Sequence, residues 1–169
     1  MAYVTEMAPI SDHQGLPALK LSRIFHAPRD LVWLAWTHPE MRLAWYGPVE
    51  WPAVRSEQDF RVGGIWRACL KSATDDRMLW QSGVFREIAP PERLVFTFKW
   101  ENDDHEDGAP VDTLVTVVLT KLLDGRTQMD FTQVGLKSEE SLSGHQHGWA
   151  STFARLEQWL LRDGQLQER

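Results

Sequence analysis

Histidines are the side chains of this sequence that could most readily bind a metal or transfer a proton. There are six: His13, His26, His38, His105, His145 and His147. His145 and His147 are two positions apart, a spacing that places their rings on different sides of a helix. Zinc sites use better-matched ligand spacing and usually cysteine pairs, whereas Cys69 is the only cysteine. We therefore predict no metal and no cofactor.

Motifs for nucleophilic or phosphate chemistry are also missing. Neither a Gly-x-Ser-x-Gly turn nor a Ser-x-x-Lys motif occurs. Gly63-Gly64 is not followed by the Lys-Ser/Thr pair of a phosphate-binding loop. Glu139 and Glu140 suit the dipole at the start of a helix better than acid–base work. We predict no catalytic residues and favour a protein that is not an enzyme, while a cyclase or hydrolase stays open as an alternative.

Aromatic and aliphatic side chains are the more informative set, because the chain contains nine Trp and seven Phe. Apolar walls with few polar groups are typical of small-molecule sites. The residues that we predict to line a cavity are Trp36, Trp45, Trp66, Phe85, Phe96, Phe98, Trp100, Val117, Met129, Phe131, Gln133, Trp149, Phe153 and Leu156. Arg61 is the candidate polar anchor, although Asp59 or Glu57 could pair with it at the surface. The alternative that these rings simply fill the core also stays open.

Net charge and composition limit the partners and the compartment. With 18 basic and 24 acidic residues the formal charge is −6, which disfavours nucleic acid. The single Cys69 suits a reducing compartment and is expected to be a buried, inert thiol. Residues 1–15 resemble no signal peptide, and no run approaches the ~20 apolar residues of a membrane helix. We expect a cytoplasmic protein with no membrane insertion; a homodimer is neither demanded nor excluded.

The elements that must position these residues follow from hydrophobic periodicity and from Gly and Pro. Pro28 can start a helix, and Pro39 ends it at His38 and begins a second. Leu94, Phe96, Phe98 and Trp100 alternate with Val95, Thr97 and Lys99, as in a strand with one buried face. The predicted strands are 18–26, 50–56, 65–70, 80–88, 93–100, 111–120 and 126–134, and the predicted helices are 28–38, 39–45 and 139–162, the last ended by Gly164.

This order of elements predicts one α+β domain over residues 16–169 after a flexible tail, residues 1–15. Consecutive strands with short turns favour an antiparallel meander, and a sheet with one apolar face needs a cover. We predict a curved antiparallel β-sheet of about seven strands, wrapped around a long C-terminal α-helix, with two short helices after strand 1.

Motifs in a characteristic order add a family resemblance over residues 18–162. They are 25–33 (FHAPRDLVW), 36–40 (WTHPE), 45–48 (WYGP), 59–66 (DFRVGGIW), 88–94 (IAPPERL) and 148–149 (GW). The chain resembles the START-like (SRPBCC, helix-grip, Bet v 1-like) superfamily. More narrowly, it is similar to the homologues of the C-terminal domain of the heat-shock ATPase activator.

The resemblance implies a cavity between a seven-stranded sheet and the long helix, and several activities. Relatives of this kind bind lipids, polyketides or plant hormones, act as cyclases, or stimulate a chaperone. The activator's separate N-terminal domain has no counterpart among the motifs. We therefore expect a binding protein for a small hydrophobic ligand, a lipid, polyketide-like or aromatic metabolite. The alternatives are an enzyme acting on such a ligand and a co-chaperone-like partner of a heat-shock ATPase.

Overall fold

Antiparallel strands form one curved sheet in the computed structural model, which describes residues 4–6, 10–11, 15–101 and 112–167. The strands are β1 (Val4–Glu6), β2 (Ile10–Ser11), β3 (Pro17–Phe25), β4 (Ala53–Gln58), β5 (Ile65–Lys71), β6 (Met78–Ala89), β7 (Arg93–Trp100), β8 (Thr113–Lys121) and β9 (Thr127–Val134). The order is β1-β3-β9-β8-β7-β6-β5-β4, and β2 also pairs with β3. The seven strands from β3 to β9 confirm the predicted curved antiparallel sheet.

Two short helices follow β3, as predicted: α1 (Arg29–Thr37) and α2 (Pro39–Trp45). His38, the residue before Pro39, has an extended backbone (φ −93°, ψ 120°) because the proline ring disfavours helical angles there. Pro39 itself starts α2, where its missing N–H has no helical partner to lose. The two helices therefore meet at a fixed bend.

The C-terminal helix α3 (Glu139–Gln167) is longer than predicted. The expectation that Gly164 ends it is wrong, since the helix continues through that residue. A glycine inside a helix costs about 1 kcal/mol relative to alanine. That cost does not end a helix when helix-forming residues such as Gln165 and Leu166 follow.

The strand register shows which strands are neighbours and where the sheet bends. The first and last long strands in the chain are adjacent in the sheet, with Leu21 of β3 opposite Phe131 of β9. Register shifts between Ala53 and Arg55 in β4, and between Phe85 and Glu87 in β6, add an unpaired residue that bends each strand. The Gly63-Gly64 pair forms the turn into β5, with Gly63 at a φ of +84° that favours glycine.

The segment predicted as a tail, residues 1–15, contains β1 and β2, both paired with β3. Residues 1–3, 7–9 and 12–14 lie outside the described residues. The predicted flexibility and the boundary at residue 16 therefore stay predictions.

One continuous apolar core lies between the sheet and the helices. Phe131 of β9 lies with its ring centroid 4.6 Å from Trp149 and 5.1 Å from Phe153 of α3. Trp36 of α1 stacks on Phe131 with 6.4 Å between the ring centroids. The inward face predicted for β7 is confirmed by the burial of Leu94, Phe96 and Phe98. On β5 the side chains of Trp66, Ala68 and Leu70 are buried in the same core.

Candidate functional site

An open cleft of about 1050 Å³ lies between the sheet and the first half of α3. Its apolar lining includes Tyr46, Trp51, Leu70, Leu79, Phe98, Trp100 and Trp149. Its polar lining includes Glu50, Gln81, Lys137, Glu140, His145 and His147. Strands β5, β6 and β7 form one wall, α3 forms the other, and the segment after α2 closes one side.

Only part of the predicted lining set reaches this cleft, namely Phe98, Trp100 and Trp149. The rest lie in the core, each no more than 2% exposed: Trp36, Trp45, Trp66, Phe85, Phe96, Val117, Met129, Phe131, Gln133, Phe153 and Leu156. The void beside Trp36, Trp66 and Phe96 is too narrow for a water molecule. These side chains therefore pack against one another in the core and do not line the cleft.

The predicted anchor Arg61 lies elsewhere. Its Nε donates to Oδ2 of Asp59 at 2.7 Å, and its side chain is 70% exposed. This is the surface pairing that the sequence left open as an alternative. Arg61 is not among the residues that line the cleft.

Hydrogen bonds hold the aromatic wall in place. Nε1 of Trp149 donates to Oε1 of Gln133 at 2.9 Å, and Nε2 of Gln133 donates to Oγ1 of Thr113 at 2.9 Å. Thr113 in turn donates to the carbonyl of Phe98 at 2.9 Å. Gln133 is fully buried behind the wall and does not itself line the cleft. The chain of bonds ties α3 to β7, β8 and β9 behind the cleft wall.

His145 of α3 lines the cleft beside Trp100, a pairing that sequence reasoning missed. Nε1 of Trp100 donates to Nε2 of His145 at 3.1 Å, and Nδ1 of His145 lies 2.7 Å from the carbonyl oxygen of Ser141. Because Nε2 accepts, Nδ1 carries the proton and donates to that carbonyl. The bond to His145 restrains the Trp100 ring against α3.

The floor of the cleft contains a second feature that the sequence did not reveal. The Tyr46 hydroxyl donates to Oε1 of Gln81 at 2.9 Å. Behind it, the Arg42 guanidinium lies 4.7 Å from the centre of the Tyr46 ring and 5.3 Å from that of Trp66. Burial raises the pKa of Tyr46 to about 12, although Arg42 acts in the opposite direction. Burial also lowers the pKa of Arg42.

The part of the chain that the structure describes contains neither a candidate metal site nor a helix that could span a membrane. No group of three or more His, Cys, Asp or Glu there could hold a metal ion. His13 and His105 lie outside the described residues. Cys69 is buried as predicted, and burial raises the pKa of its thiol. Among the described helices, none is long and apolar enough to cross a membrane.

A curved antiparallel sheet around a long C-terminal helix, with two short helices after the first long strand, defines the class of helix-grip proteins. Within that class, the family model for "Activator of Hsp90 ATPase homolog 1-like protein" matches residues 26–160. The chain therefore belongs to the family of proteins like the activator of Hsp90 ATPase homolog 1. The family resemblance indicated by the sequence motifs is confirmed.

Solved structures agree with this assignment of the fold. Protein CV1439 from Chromobacterium violaceum is 23% identical, with a TM-score of 0.74 over 83% of this chain and 94% of that chain. The AHSA1 protein SPO3351 from Silicibacter pomeroyi is 22% identical, with a TM-score of 0.73 over 86% and 99%. A protein from Arthrobacter aurescens is 25% identical, with a TM-score of 0.73 over 90% of both chains. No curated protein matches the chain.

Proposed function

We propose that this protein is a non-enzymatic carrier or sensor that binds a small hydrophobic molecule in the cleft between the sheet and α3. The observation that carries the proposal is an aromatic surface in the cleft where β7 meets α3: Phe98, Trp100 and Trp149 all line the cleft, and the ring centroids of Phe98 and Trp149 lie 5.9 Å apart. Ligand pockets typically enclose about 300–1,000 Å³ and are mostly apolar. The cleft has the size for a lipid fragment or an aromatic metabolite.

The wall is pre-formed, which favours binding. The Gln133 and His145 hydrogen bonds fix the Trp149 and Trp100 rings before any ligand arrives. Less ordering entropy is then lost when the ligand binds. On α3, Gly144 and Gly148 have no atom within 4 Å of the place where a Cβ would stand. The helix therefore leaves open the space that a ligand would occupy.

The test is a titration of delipidated protein with the neutral fluorophore N-phenyl-1-naphthylamine. We expect saturable binding, and we expect Gly148→Leu to weaken it by about tenfold or more, since the new side chain enters the cleft. Gln158→Leu adds the same side chain at an exposed position of the same helix and serves as the matched control. Equal affinity in the two variants, or no saturable binding by the wild type, would refute the proposal.

A second candidate, activation of a heat-shock ATPase, is suggested by the family's name. It has one supporting observation, because Phe60, Val62 and Ile65 are exposed at the turn into β5. Exposed apolar groups of this kind mark protein-binding sites. Stimulation of an Hsp90-type ATPase by the wild type, lost in Val62→Asp and kept in Gly148→Leu, would support this candidate over ligand binding.

A further inference from the structure

Arg42 is a buried cation without a carboxylate. Its side chain is in the last turn of α2, and the residue is only 3% exposed. No ion pair joins it to an acidic group in the described part of the chain, and its Nε is buried without a hydrogen-bond partner. Buried charges in proteins are normally paired. The missing negative charge therefore needs an explanation.

The groups around Arg42 supply only partial negative charge. The ring faces of Tyr46 and Trp66 attract a cation weakly, and the C-terminal end of α2 contributes a fraction of a charge. Tyr46 cannot serve as a counter-anion, because a pKa near 12 keeps its hydroxyl protonated at neutral pH. The positive charge of Arg42, which lies behind Tyr46 at the floor of the cleft, is therefore not neutralised by its neighbours.

Tyr46 and Gln81 connect that charge to the cleft, since both residues line it. Gln81 is 4% exposed, and its Oε1 accepts the Tyr46 proton. The Gln81 amide nitrogen is thus the donor that remains for a ligand at the floor. Glu50 and Glu140 line the same cleft at exposed positions, where they repel an anion from the mouth, and Lys137 is the one lining lysine.

We infer that the ligand is an amphipathic carboxylate, whose apolar body lies against Phe98, Trp100 and Trp149 while its carboxylate accepts from Gln81 at the floor, balanced by the Arg42 charge. This inference rests on the proposed function and specifies the chemical class of the ligand. A single carboxylate matches a single buried guanidinium in charge. The interaction crosses a poorly solvated layer one tyrosine thick, where charges attract more strongly than in water.

The experiment compares phenylbutyrate with phenylbutyramide, which have the same shape and differ in charge. Isothermal titration calorimetry on the wild type is expected to show about tenfold tighter binding of the carboxylate. In Arg42→Met that preference disappears, while the affinity for the amide is unchanged. Arg126→Met removes a half-buried positive charge that pairs with Asp124 and does not line the cleft, and this variant should keep the preference.

Further variants keep the inference testable if Arg42→Met does not fold. Arg42→Lys retains the charge and should retain the preference, whereas Gln81→Leu removes the donor and should reduce it. Equal binding of both compounds by the wild type, or an undiminished preference in Arg42→Met or Gln81→Leu, overturns the inference and leaves the proposed function intact. If neither these compounds nor the neutral fluorophore bind, the proposed function itself fails.

Discussion

Tyr46 combines several roles in one side chain. Its ring packs edge-on against Trp45 and Trp149, at 5.7 and 5.9 Å between ring centroids. Its hydroxyl donates to Gln81, and its face contacts Arg42. An ionised phenolate would be costly at this buried position, so Tyr46 keeps its hydrogen bond to Gln81 only in the neutral form.

The raised pKa of Tyr46 predicts a loss of stability at alkaline pH. The unfolded pKa is 10.0 and the folded pKa about 12, so the folded state holds its proton more tightly. The contribution is therefore complete below pH 10 and is lost as the pH rises through 12. One such group changes the free energy of unfolding by about 1.4 kcal/mol per pH unit inside that window.

Urea denaturation of the wild type and of Tyr46→Phe at several pH values between 9 and 12 measures this contribution. We expect a steeper loss of stability with pH in the wild type. The difference between the two proteins cancels the other groups that titrate in this range. Parallel pH profiles would show that Tyr46 titrates normally in the folded state.

At the scale of elements, Gly83 controls how closely β6 approaches β7. A Cβ at Gly83 would lie 1.7 Å from the carbonyl oxygen of Thr97 and 2.6 Å from Nε1 of Trp66. The Trp66 indole uses that space to donate to the same carbonyl, at 2.9 Å. A side chain here would separate the strands or break this bond.

Gly83→Ala is therefore expected to lower the free energy of unfolding by about 2 kcal/mol or more. Gly144→Ala is the matched control, because a Cβ there meets no atom within 4 Å. Alanine is the better helix former, so this variant should gain about 0.5–1 kcal/mol. Chemical denaturation of both variants tests the contrast. A Gly83→Ala variant as stable as the wild type would show that the close approach of β6 to β7 does not limit the packing of these strands.

The elements themselves could be predicted from the sequence, because their signals are local. Pro39 alone placed the boundary between α1 and α2, and the alternation from Leu94 to Phe98 defined β7. Gly164 misled, because a glycine's helix penalty is smaller than the preference of its neighbours. The short strands β1 and β2 left no period-two signal, since a strand of two or three residues is too short to show one.

The site was less predictable, because it depends on where the core ends. Phe96 and Phe98 share one face of β7, yet only Phe98 lines the cleft while Phe96 lies in the core. Periodicity identifies the inward face but not which positions along it the helix covers. Arg42 gave no signal at all, because a charged residue on a short helix normally faces water. Its burial follows from the tertiary packing of Tyr46 and Trp66 around it.

For the whole molecule, the shared core implies that the sheet and the helices unfold together. The buried apolar residues form one cluster that includes side chains of β3 to β9 and of all three helices. Phe131 lies near its centre, in ring contact with Trp36, Trp149 and Phe153. A domain with a single core of this kind usually unfolds in one cooperative step.

Phe131→Ala tests whether the sheet and the helices unfold together, because it removes a ring of the sheet that α1 and α3 both contact. We expect a loss of about 3–5 kcal/mol in the free energy of unfolding, with tryptophan fluorescence and far-ultraviolet circular dichroism giving the same transition. Phe60→Ala makes the same replacement at an exposed position and should cost about 1 kcal/mol or less. Separate transitions for the two probes in the wild type would mean that the domain does not unfold in one cooperative step. In that case the single core would not hold the sheet and the helices, and with them the walls of the cleft, together until global unfolding.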